Sequence, residues 1–108
     1  MNAQDIQKQM QKHSFIENNG MILRMLNMLD SKEHKIGSVR YIMHDVPLDE
    51  LRNSFHYLHD SGYIRIQHPE GAACIRPDKD AYSQVKVEVT HQGMELLMGI
   101  TDNPAVDI

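Results

Sequence analysis

The chain has no tryptophan and a single cysteine, Cys74. One thiol excludes an internal disulfide and an all-cysteine structural zinc site, and it suits a reducing compartment. Aromatic residues make up only 6% of the sequence, against eight methionines, so the core is expected to rest on aliphatic and thioether side chains. Long apolar runs are missing too. The longest lies within 21–29, is broken by Arg24 and Asn27, and falls well short of the ~20 residues that a membrane-spanning helix needs. The opening stretch, MNAQDIQKQM, is polar and lacks the apolar segment of a secretory signal. Positive charge is scarce: 11 Lys and Arg face 15 Asp and Glu, for a net charge of -4 with His neutral. Dedicated nucleic-acid binders are usually basic, so any such role requires a local basic patch on an acidic whole. The expectation is a cytoplasmic protein with no membrane partner.

What is present is ordinary for one folded unit. The chain has 108 residues, 41% hydrophobic and 24% charged, enough for a single core of modest size. Ile6 and Met10 give a thin apolar stripe that predicts a helix from residue 3 to about 16, with ENNG at 17–20 as its breaker. A stronger helix is predicted over 21–31. At ~100° per residue, Gly20, Arg24, Asn27 and Ser31 fall in one narrow polar stripe, and the rest of the circumference is Met, Ile and Leu. A helix apolar over most of its surface is expected to be covered on more than one side, either by the rest of the chain or by a second copy.

The segment 31–38 reads as a connector, with Ser38 as the N-cap of a short helix over 39–44. Pro47 pre-sets the next helix, and Asp49 and Glu50 sit in its first turn, where the helix dipole favours acids. Leu51, Phe55 and Leu58, spaced i, i+4, i+7, mark its buried face, and Gly62 marks its end. The alternation in YIRIQ (63–67) and VKVEVT (85–90) predicts two half-buried antiparallel strands. Between them lies a long polar excursion. Thr90 is placed to cap a last helix, 91–100, and TDNPAVDI reads as a frayed acidic tail.

Two local patterns resemble one family. LRNSFHYLHDSGYI ends a helix with Leu58, Gly62, Tyr63 and Ile64, and VTHQGMELL opens one with Thr90, Gly93, Leu96 and Leu97. Together, over roughly 21–100, they resemble the winged helix-turn-helix superfamily. The short helix departs from the family pattern, offering Tyr41, Ile42 and Met43 where a small residue is usual, and the wing is long. The resemblance implies an α+β, mainly α fold: a three-helix core plus a two-stranded β wing, with an extra N-terminal helix and a C-terminal helix. It divides the chain into an N-terminal helical arm (1–18), a winged-helix domain (19–100) and an acidic tail (101–108).

The implied function is binding of double-stranded DNA by a small transcriptional regulator of bacterial or phage type. The helix near 48–61 would enter the major groove, and the wing would touch the backbone. Arg52, Asn53 and His56 are the candidates to read bases or fix register. Arg40, Arg65, Arg76, Lys79 and Lys86 are the candidates to hold phosphates. Asp49 and Asp60, on the outward stripe of the same helix, oppose this reading. The alternative is a non-catalytic protein-interaction or assembly module on the same scaffold. In either case a homodimer is expected, formed through the N-terminal helix and the helix at 21–29.

Seven histidines invite a metal, and His56 and His59 share a helix face, with His44, His68 or Cys74 as further candidates. A stable site needs three or four ligands at fixed geometry, and the sequence holds no compact cluster, so no metal or other cofactor is expected. There is no Gly-rich phosphate loop, nucleophile elbow or His-Glu-x-x-His, so no catalytic residue is assigned and an enzyme is not expected.

Overall fold

A computed structural model describes residues 2–28, 34–67 and 86–108. Its elements run α1 (Ala3–Met28), β1 (His34–Lys35), α2 (Ile36–Ile42), α3 (Leu48–Asp60), β2 (Ile64–Gln67), β3 (Lys86–Val89) and α4 (His91–Leu97). The described residues are thus mainly helical, with one small antiparallel sheet in the order β1-β3-β2.

α3 forms as its sequence dictates. Pro47 takes φ -56 and ψ 143 at the N-cap, and its carbonyl accepts from the amides of Glu50 and Leu51, both at 3.1 Å. Leu51, Phe55 and Leu58 are buried, together with Ser54 between them. At the other end the Gly62 amide donates to the His59 carbonyl at 3.0 Å, and the Tyr63 amide donates to the Leu58 carbonyl at 2.9 Å. This is a Schellman closure, which places its pivot residue in the left-handed region. Gly62, at φ +84, supplies it without a Cβ penalty.

The chain is therefore extended again by Ile64, and β2 pairs at once with β3. Ile64 lies opposite Val89, Arg65 opposite Glu88 and Ile66 opposite Val87. The isoleucines and valines share the core face; Arg65, Gln67, Lys86 and Glu88 share the other. The two sequence patterns meet at this junction. The Thr90 amide donates to the Tyr63 carbonyl at 3.0 Å, its hydroxyl donates to the Gly62 carbonyl, and the same oxygen accepts from the Gly93 amide at 3.2 Å as the cap of α4. A Cβ on Gly93 would lie 2.3 Å from the Tyr63 carbonyl oxygen, so only glycine allows α4 to seat here.

Four expectations are corrected. First, ENNG does not break the N-terminal helix; α1 is continuous from Ala3 to Met28. Asn18, Asn19 and Gly20 are buried in its middle, and tertiary contact there overrides weak helix propensity. Second, the connector contributes a strand. His34 pairs with Val87 and Lys35 with Lys86, so the sheet has three strands rather than two. Third, the short helix spans Ile36–Ile42 and leaves Ser38 inside it, while the last helix ends at Leu97.

Fourth, the tail is not frayed. Val106 is in the core with Ile22, Leu23, Leu26, Val39, Met43, Leu51, Phe55, Leu58, Ile64, Val87 and Leu96. Asn103 Nδ2 donates to the hydroxyls of Tyr57 (3.0 Å) and Tyr63 (2.9 Å). The Asn19 amide group donates to the Ala105 carbonyl at 2.9 Å, and the Arg24 guanidinium donates to the Asp107 carbonyl at 2.7 Å. The Asp107 amide donates to the Ile16 carbonyl at 3.2 Å. The tail thus straps α1 to α3 and covers the Gly20–Arg24 flank, which the sequence pattern left as a polar stripe.

Candidate nucleic-acid interface

The outward face of α3 carries Asp49, Arg52, Asn53, His56, His59 and Asp60, all exposed. Leu51, Phe55 and Leu58 anchor that face from behind. Tyr57 is taken out of it: its ring meets Phe15 edge-on, with centroids 5.2 Å apart, and its hydroxyl is engaged by Asn103. His59 Nδ1 lies 3.5 Å from an Asp60 oxygen, both side chains largely in solvent, where such a pair contributes little. Arg52, Asn53 and His56 remain as polar groups presented together by one rigid helix.

The cationic set is less concentrated than the sequence pattern suggests. Arg65 is ion-paired with Glu88, its direct cross-strand partner, so its charge is already neutralised. Lys86 is exposed on the same sheet face, and Arg40 is exposed on α2. Arg76 and Lys79 lie outside the described residues, as do His68, Cys74 and the rest of 68–85.

Sequence reasoning missed a cleft of about 530 Å³ between α1 and the start of α3. Lys8, Gln11, Lys12, Phe15 and Asn18 line it from α1; Asp49, Glu50 and Asn53 line it from α3. The signal was available once α1 was read as one helix. At ~100° per residue, Lys8 and Lys12 fall on the same face as Asn19, Ile22, Leu23 and Leu26, the face turned to the rest of the protein.

Among the described residues no group of three His, Cys, Asp or Glu is placed to hold a metal ion, and no helix is long and apolar enough to cross a membrane. Neither a scan of protein-family models nor searches of curated proteins and solved structures found a match to the chain.

Proposed function

We propose that this chain is a winged-helix, non-catalytic DNA-binding protein, a small regulator of bacterial or phage type acting on double-stranded DNA. The observation that carries the reading is the junction at Gly62. A 13-residue helix with an exposed polar face passes within a few residues into a paired hairpin, locked by Thr90 and Gly93. Such a junction holds a helix and a β ribbon in fixed relation, which groove-plus-backbone docking requires. Arg52, Asn53 and His56 supply hydrogen-bonding groups for base edges; Arg40 and Lys86, with Arg76 and Lys79 of the wing, supply charge for phosphates.

Titrating salt against a random-sequence duplex tests this. Binding at low salt should weaken with a log–log slope of about -0.9 for each phosphate neutralised. No binding even at ~20 mM salt would remove the reading.

One observation favours a protein-interaction role beside it. Ile6, Met10, Met21 and Met28 are 48%, 65%, 44% and 79% exposed. At ~100° per residue they fall within one narrow sector on the back of α1. The buried face of α1 is consumed inside the chain, by Ile22, Leu23 and Leu26, so a homodimer would use this back stripe and not the whole circumference at 21–29. Sedimentation at micromolar concentration should give a dimer that Met10→Lys with Met28→Lys dissociates. A wild-type monomer refutes this interface.

A further inference from the structure

We propose that the N-terminal half of α1 is the phosphate clamp of the DNA interface, with Lys8 and Lys12 gripping the backbone while Asp49 and Asn53 face base edges. This rests on the DNA-binding reading and says where the missing positive charge lies. Lys8 and Lys12 are one helical turn apart, exposed, and ion-paired with no carboxylate among the described residues. They form one wall of the cleft whose other wall is the first turn of α3.

The α1 wall of the cleft also offers a hydrogen-bond donor. Asn18 lines the same cleft and is only 8% exposed, yet its side chain has no hydrogen-bond partner among the described residues. The buried unpartnered side-chain atoms among the described residues are Asn19 Oδ1 and Ser54 Oγ, so the Asn18 amide reaches solvent at the cleft, where its two N–H donors suit a phosphate or sugar oxygen.

The carboxylates fit the same arrangement. Asp49 and Glu50 sit where the α3 dipole stabilises them, opposite the lysines and not paired with them. Asp49 and Asn53 are i, i+4 on one face. In a major groove, a carboxylate accepts from the cytosine amino group and an asparagine amide pairs with adenine. One wall of the cleft is thus suited to the backbone and the other to bases, which turns the acidic start of α3 from an objection into a specificity element.

The test uses the full chain and random-sequence duplex DNA. Lys8→Gln with Lys12→Gln should flatten the salt slope by about 1.8, two phosphates at about 0.9 each. At fixed moderate salt it should weaken binding on the order of tenfold or more. Lys8→Arg with Lys12→Arg should keep the wild-type slope. Both sites are exposed, so unchanged melting checks that each variant is folded. A wild type that binds with a slope the glutamine pair leaves intact overturns the clamp alone. A wild type that does not bind overturns the clamp together with the DNA reading.

Discussion

Replacing Phe55 with alanine is expected to remove about 3–5 kcal/mol of folding stability. Phe55 is 2% exposed and packs among Leu51, Leu58, Ile22 and the sheet residues Ile64 and Val87 in a single core. Alanine loses the transfer energy of the ring and leaves a cavity that well-anchored neighbours cannot fill. A domain of this size commonly has only about 5–15 kcal/mol in total, so the variant should melt on the order of 10–20 °C lower. The consequence reaches function, because Phe55 holds the back of the helix that presents Arg52, Asn53 and His56. A variant melting within about 3 °C of wild type would show that the α3 face is not the buried one.

Gly20→Ala should destabilise the chain by about 1–3 kcal/mol, against the local rule. In a helix interior alanine normally gains about 0.5–1 kcal/mol over glycine. Here a Cβ would sit 1.7 Å from the Asp107 carbonyl oxygen, a backbone atom tied to Arg24. The tail must move, and with it go the burial of Val106 and the bonds from Asn19 and Asn103. The sign identifies the cause. In a chain ending at Asp102 the obstruction is gone, and the same substitution should become stabilising by about 0.5–1 kcal/mol. Urea unfolding of the four proteins measures the coupling, and equal effects in both backgrounds would mean that the tail does not lie against Gly20.

These two sites differ in how openly they are written in the sequence. Phe55 announces itself through a spacing of three and four residues, and helix periodicity is a local property of the chain. The strands at 64–67 and 86–89 are equally legible from their alternation, and Thr90 and Gly93 from the chemistry of a helix start. Even the Arg65–Glu88 pair was within reach, because setting Ile64 opposite Val89 puts those two residues face to face. β1 was not legible: His34–Lys35 is a dipeptide with no period to read, and it is a strand because β3 offers it an edge.

By itself, the sequence determined α3, the hairpin behind it and the glycine on which the chain turns between them, since each needs only residues within a few positions of one another. Only the tertiary structure decided that α1 runs unbroken through Asn18, Asn19 and Gly20, and that this length carries Lys8 and Lys12 to the mouth of α3. The reason is distance along the chain. The partners that bury the middle of α1 are tail carbonyls 86 and 83 residues away from Asn19 and Arg24, and no local pattern can encode a contact whose other half arrives so much later.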